Sequence, residues 1–82
     1  MPGKLRALRG ADVVRALARF GFHQVKQSGS HVKLRRTGPD GESQTLHIPL
    51  HRKLKPGTLR AIFRQASDYV SADELRPFFF SD

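Results

Sequence analysis

The chain has 82 residues and no cysteine, which fits one small domain (1–82) and excludes a disulfide framework or a thiolate metal site. Fifteen Lys and Arg residues against seven Asp and Glu residues give a formal net charge of +8. No apolar run approaches the length of a membrane span, and no signal-like hydrophobic stretch follows the first basic residues. We therefore expect a cytoplasmic protein without a membrane partner.

Cationic residues fill two long stretches that contain no carboxylate, residues 13–39 and 43–67. Cations that serve only solubility are usually interspersed with acids on the same surface. The pattern therefore predicts contact with a polyanion or an acidic protein, and an ordinary solvated basic face is the alternative. These cations are Arg15, Arg19, Lys26, Lys33, Arg35, Arg36, Arg52, Lys53, Lys55, Arg60 and Arg64.

The periodic part of the sequence lies in its middle, and we expect the folded core over residues 11–67. Residues 1–10 are basic without a clear period, which we interpret as a flexible arm or a loose first turn. Residues 68–82 are interpreted as a short helix that begins near Ser71, where the spacing fits a capping box, and a phenylalanine-rich tail. The rings of residues 78–80 either pack on the core or form a partner surface.

A first helix is predicted over residues 11–20, because apolar residues recur there at helical spacing. Arg15 and Arg19 lie one turn apart on its outer face, where only a nearby acid would offset their repulsion. Gly21 ends the helix at a position that favours the left-handed conformation. The apolar stripe consists of Val13, Val14, Leu17 and either Ala18 or Phe20.

Three strands are predicted at residues 22–27, 31–36 and 43–50, separated by turn residues at 28–30 and 38–41. In the second strand, Val32 and Leu34 alternate with polar residues and are directed toward a core. Its opposite face carries His31, Lys33 and Arg35. The third strand similarly directs Leu46, Ile48 and Leu50 inward and Thr45 and His47 outward.

The first strand is ambiguous, because Phe22 and Val25 have opposite parity and a flat strand cannot direct both inward. Pro49 places the end of the third strand at an edge, or where pairing stops.

A last main helix begins at Pro56, which fits the first helical position. Its apolar stripe is Leu59, Ile62, Phe63 and Ala66, with Arg60 and Arg64 on the opposite face. The fold class is therefore α+β, in the order α-β-β-β-α. Short turns force an antiparallel sheet, and both helices cover one of its faces. The other face is left open.

The open face suits cleavage of RNA by its own 2′-hydroxyl, without a metal. A histidine that titrates near neutrality serves as base or acid, and His31 is the candidate. Lys33 and Arg35 would stabilise the extra negative charge at phosphorus. The alternative is that His31 is an ordinary surface residue after a turn.

Other candidates are weaker. His47 and His51 have a spacing seen in zinc sites, but Pro49 between them argues against a helix and no carboxylate completes a site, so we expect no metal and no cofactor. His51 is interpreted as a phosphate ligand, a second proton-transfer group or a solvated residue. The residues at 56–58, beside Lys53 and Lys55, form a plausible phosphate seat at a helix N-terminus.

Several segments together resemble the HicA (YcfA-like) toxin family of HicAB toxin–antitoxin systems, over residues 11–67. They are residues 11–17 (ADVVRAL), 20–22 (FGF), 26–31 (KQSGSH), 46–51 (LHIPLH) and 54–66 (LKPGTLRAIFRQA). The resemblance implies an mRNA interferase with a fold like a double-stranded-RNA-binding domain, neutralised by a HicB-type antitoxin. It also implies that His31 is catalytic, that Gly29 and Ser30 shape its turn, and that Ser28 replaces a lysine common in the family.

The leading hypothesis is thus a toxin ribonuclease whose partners are mRNA and a HicB-type antitoxin, with no DNA bound by the chain alone. The expected RNA-binding residues are Lys26, Ser28, Gly29, Ser30, Lys33, Arg35, His51, Arg52, Lys53 and Lys55. A non-catalytic RNA-binding module is the alternative from another class. A third hypothesis is an adaptor whose basic face binds an acidic protein.

Overall fold

A computed structural model of the chain describes residues 3–81. Its elements are β1 (Lys4–Leu5), α1 (Gly10–Ala18), β2 (His23–Ser28), β3 (His31–Thr37), β4 (Ser43–Pro49), α2 (Pro56–Ala66), α3 (Ala72–Phe79) and β5 (Phe80–Ser81). The predicted α-β-β-β-α order is confirmed by α1, β2–β4 and α2. The short C-terminal helix is also present, and Ser71 precedes it as the N-cap residue.

The main sheet is antiparallel with strand order β2-β3-β4, so β3 is central. In the register of β3 and β4, Val32 lies opposite Ile48 and Leu34 opposite Leu46. These side chains share one buried cluster with residues of α1 and α2, which confirms that both helices cover one face. The central members of the cluster are Val13, Leu17, Val32, Leu34, Leu46, Ile48, Leu59, Ile62 and Ala66.

A β-bulge in β2 resolves the ambiguous parity of the first strand. The register between β2 and β3 shifts between Gln24 and Lys26, which leaves Val25 as the extra residue, 41% exposed. Phe22, just before the strand, is buried in the core. Because Lys26 lies four positions after Phe22, a regular strand would direct both to the same face. The bulge turns Lys26 to the opposite face.

The expectation of a flexible N-terminal arm is wrong for the residues that the structure describes; Met1 and Pro2 lie outside them. Lys4 and Leu5 pair antiparallel with Ser81 and Phe80. The amide of Arg6 donates to the carbonyl of Phe79 at 2.8 Å. The arm is therefore held because its main-chain groups find partners in the C-terminal segment, a long-range pairing that local periodicity does not reveal.

The aromatic tail packs on the core, as one of its two interpretations predicted. Phe79 is fully buried, and its ring meets that of Phe63 edge to face at 5.4 Å. The Phe80 ring also meets that of Phe63 edge to face, with centroids 5.3 Å apart. Phe78 packs against Phe20, with ring centroids 5.5 Å apart.

Helix α1 begins one residue earlier than predicted, with an acid in its first turn. The Asp12 carboxylate accepts hydrogen bonds from the side chain and main-chain amide of Arg9, and it also binds Arg15. The hydrogen bond from the Arg9 side chain is the main reason that the pKa of Asp12 falls to about 2, with the amide and both charges adding to it. Asp12 is thus the acid that offsets the positive charge of this helix face.

The first residue of α1 fits only as glycine. Gly10 is buried, and its amide donates to the carbonyl of His51 at 2.9 Å. A Cβ at this position would overlap the Pro49 carbonyl oxygen and lie 2.8 Å from the Cα of Leu50. Since both obstacles are backbone atoms, they cannot swing aside as a side chain would.

We expect Gly10→Ala to lower the free energy of unfolding by about 1–3 kcal/mol, the usual cost of overpacking. The matched control is Gly57→Ala in α2, where an added Cβ meets nothing within 4 Å. Urea denaturation of both variants checks this, and equal stability of the two would contradict it.

A second prediction concerns the pH dependence of stability. The pKa of Asp12 is about 2 in the folded state and about 3.9 in an unfolded chain. The ionised carboxylate therefore makes its full contribution to the free energy of unfolding at any pH above the higher of these two values. It is lost as pH falls through the lower one. Asp12→Asn should therefore be less stable than the parent at pH 6, with the gap closing toward pH 2. Thermal unfolding across this range measures it, and a gap independent of pH would refute the assignment.

Candidate functional site on the open face of the sheet

The face of the sheet away from the helices carries polar residues from all three strands. His31 and Arg35 are exposed on β3, and Lys33 between them is half-buried. The register places Ser28 beside His31 and Lys26 beside Lys33 on the β2 side. This open face therefore groups cations from two strands around one imidazole.

A shallow pocket of about 230 Å³ lies at the His31 end of this face. It is lined by Lys26, Ser28, His31, Val32, Lys33 and His47. No carboxylate is among the lining residues. A pocket bounded by two imidazoles and two ammonium groups suits an anion such as a phosphodiester.

The turn that presents His31 needs its glycine. Gly29 has φ of +60°, in the left-handed region that L side chains rarely adopt. Gln27 donates from its side chain to the Gly29 carbonyl at 3.2 Å. Ser30 contributes through its main-chain carbonyl, which accepts from the amide of Leu50. Gly29 and Ser30 thus fix the start of β3, where His31 is the first residue.

His51 lies beside His31, although twenty positions separate them in the sequence. The two rings meet edge to face, with centroids 6.2 Å apart and an interplanar angle of 73°. Both side chains are exposed. The site therefore holds two neighbouring imidazoles that solvent and ligands reach.

Sequence reasoning treated His47 only as a weak metal ligand and missed its place in this pocket. Its register partner is Lys33, and it lines the pocket together with His31. The alternation of β4 already directed His47 to the open face. The register of β4 against β3, which the sequence did not specify, was needed to bring it to this pocket.

The basic loop after β4 does not join the pocket as one unit. Lys53 lines a different hollow, between the N-terminal segment and the start of α2, together with Arg6 and Arg60. Lys55 is the N-cap residue of α2, and Arg52 follows His51 directly. All three side chains are exposed. Of the expected RNA-binding residues, the structure gathers His51, Lys26, Ser28 and Lys33 around His31, while Lys53 belongs to another surface.

Arg36 is the cation that the sequence pattern placed wrongly, since it serves the fold rather than a binding face. Its guanidinium donates to the side-chain oxygen of Gln44 at 2.6 Å and to the carbonyls of Phe20 and Tyr69 at 2.8 and 2.7 Å. The same group lies 5.0 Å from the centre of the Phe22 ring. Neighbours on a strand point to opposite faces, so Arg36 is directed to the core side while Arg35 is directed outward.

Within residues 3–81, no three His, Cys, Asp or Glu side chains are grouped as a metal site would require. No helix in this range is long and apolar enough to cross a bilayer.

Comparison with known families gives one finding. The sequence model of the family described as HicA toxin of bacterial toxin–antitoxin systems matches residues 10–67. This range holds α1, the main sheet, α2 and both imidazoles of the site. Comparison with curated proteins and with solved structures finds no match.

The two neighbouring arginines of β3 provide a matched test of whether Arg36 stabilises the fold while Arg35 lies exposed on the open face of the sheet. Arg36→Ala should lower the free energy of unfolding by about 2 kcal/mol, because the buried Gln44 amide and two carbonyls lose a charged donor. Arg35→Ala should change it by less than about 0.5 kcal/mol, as expected for an exposed residue. Urea denaturation of the pair is the measurement, and equal losses would contradict these separate roles.

Proposed function

Because the chain belongs to the HicA toxin family and is therefore the toxin of a toxin–antitoxin system, we propose that it is an endoribonuclease that cuts mRNA on the open face of its sheet. The observation that carries the proposal is the exposed imidazole of His31 in one pocket with Lys26 and Lys33. An mRNA substrate places this activity in the cytoplasm.

The proposed reaction uses the 2′-hydroxyl of RNA as nucleophile and needs no metal ion. The O2′–P bond forms and the P–O5′ bond breaks, which leaves a 2′,3′-cyclic phosphate and a free 5′-hydroxyl. One proton leaves O2′ and one reaches O5′, and His31 transfers one of them. Lys26, Lys33 and Arg35 stabilise the additional charge on the phosphorane.

RNA binding is proposed to follow the cations outward from the pocket. Ser28, Gly29 and Ser30 form the exposed turn beside His31 and contact the RNA backbone there. Arg52 and Lys55 extend the positive surface from His51 toward the start of α2, and Lys53, on the neighbouring surface with Arg6 and Arg60, would contact RNA that continues past α2. Such contacts are to phosphates, so binding weakens as salt rises.

The partner of this toxin is an antitoxin, as membership of a toxin–antitoxin family implies. We propose that it is of the HicB type and that it inhibits by covering the open face. The absence of carboxylates in the pocket makes acidic side chains suitable for that contact.

A non-catalytic RNA-binding module would use the same cations. The density of positive charge around the pocket favours phosphate binding whether or not His31 transfers a proton. The two functions differ in one measurable respect, namely whether bound RNA is cut.

We expect the purified chain to cut an mRNA transcript in the presence of a chelator, and His31→Ala to cut it about 10²–10⁴-fold more slowly, because one proton transfer is lost. RNA affinity should stay close to that of the parent, as measured by fluorescence anisotropy. His23→Ala, an exposed histidine at the other end of β2, is the control and should cut at the parent rate.

The nucleophile is tested with the same transcript sequence carrying a 2′-deoxy nucleotide at the mapped cut site. This substrate should resist cleavage, and efficient cutting would refute the 2′-hydroxyl route. If the parent binds RNA without cutting it in any condition, the binding module is the correct function.

A further inference from the structure

Cleavage by the 2′-hydroxyl route needs two proton transfers, and His31 alone supplies one. The base must reach O2′ and the acid must reach O5′, each at about 2.6–3.2 Å. A second group that titrates near neutrality is therefore expected within reach of the same phosphate. The His51 ring lies 6.2 Å from that of His31, beside the pocket rather than among its lining residues.

We propose that His31 and His51 form the general acid–base pair of the nuclease, with one phosphodiester in contact with both rings. The proposal rests on the nuclease activity proposed above and names the second catalytic residue of the same site.

The proton balance fits two imidazoles. The neutral ring accepts the proton of O2′ as the O2′–P bond forms, and the protonated ring donates to O5′ as the P–O5′ bond breaks. After the step the two rings have exchanged protonation states. Proton exchange with water restores them, and no other reactant is consumed.

The spacing of the pair is set by the main chain on both sides of His51. The amide of Leu50 donates to the carbonyl of Ser30, the residue directly before His31. The carbonyl of His51 accepts from the amide of Gly10 at 2.9 Å. His51 is thus held between the turn that presents His31 and the first residue of α1. This arrangement fixes its Cα without occupying either ring nitrogen.

The groups that line the pocket with His31 are cationic or neutral. Lys26 from β2, Lys33 from β3 and His47 from β4 line the pocket with His31, and Arg52 follows His51. His47 is therefore the competing candidate for the second proton transfer. It lies opposite Lys33 in the sheet register, two residue pairs from His31, whereas the His51 ring packs directly against that of His31.

The first experiment measures the cleavage rate against pH for the full chain and for His51→Ala, His51→Gln and His47→Ala. The parent should give a bell-shaped profile, since one ring must be neutral and the other protonated. Both His51 variants should lose one arm of the profile and cut about 10²–10⁴-fold more slowly. Thermal unfolding should match the parent because His51 is exposed, and RNA affinity should fall far less than the rate because Lys26 and Lys33 still bind phosphate.

The second experiment changes the leaving group. The oligonucleotide cut by the parent is resynthesised with sulfur in place of the bridging 5′ oxygen at the cut site. A thiolate leaves without protonation, so the variant that lacks the acid should recover most of the parent rate. The variant that lacks the base should not. Only one of His31→Ala and His51→Ala should therefore be rescued, and the rescued variant identifies the acid.

Each other outcome has a defined meaning. Rates of the His51 variants within about threefold of the parent overturn the pair, as does loss of the arm in His47→Ala alone. A weakened RNA affinity with an unchanged maximal rate assigns His51 to binding and also overturns it. If the parent does not cut, the proposed nuclease function itself fails. If the parent cuts and His31→Ala cuts equally well, the nuclease function stands but the catalytic role of His31, and with it the pair, is overturned.

Discussion

The site depends on how residues 49–51 are held between two parts of the chain that are distant in sequence. On one side the Leu50 amide donates to the carbonyl of Ser30, and on the other the His51 carbonyl accepts from the Gly10 amide. The second contact is possible because Gly10 has no Cβ to meet the main chain at Pro49 and Leu50. These two hydrogen bonds join the turn before β3, the end of β4 and the start of α1, and so hold the main chain at Leu50 and His51 against the turn that precedes His31.

The sheet divides the cations of the chain by face. On the helix side, Arg36 is occupied by a side-chain amide and two carbonyls, and Arg19 lies 5.7 Å from the centre of the Phe78 ring. Both salt bridges found within residues 3–81 involve Asp12. The open face carries Lys26, Lys33 and Arg35, with no acid in its pocket. The sheet therefore separates an arginine that stabilises the fold from the cations around the His31 pocket.

The ends of the chain complete the core outside the range matched by the toxin family. Lys4 and Leu5 pair with the last strand, and that pairing holds Phe79 fully buried against Phe63 of α2. A domain of this size buries a modest fraction of its surface, so one large buried ring is a substantial part of its core. The terminal segments lie beside α2 and leave the open face of the sheet uncovered.

The sequence by itself determined the elements, their order and the face on which His31 lies, because residue periodicity and turn chemistry are local properties. It also identified the family, because the motifs are recognised from the order of residues alone, without tertiary contacts. Tertiary structure decided the rest. Four features depend on strand register or on hydrogen bonds between distant residues. They are the bulge at Val25 that turns Lys26 outward, the contact of His51 with His31, the place of His47 in the pocket and the pairing of the two chain ends. Such partners are selected by the whole fold, and the spacing of residues along the chain does not encode them.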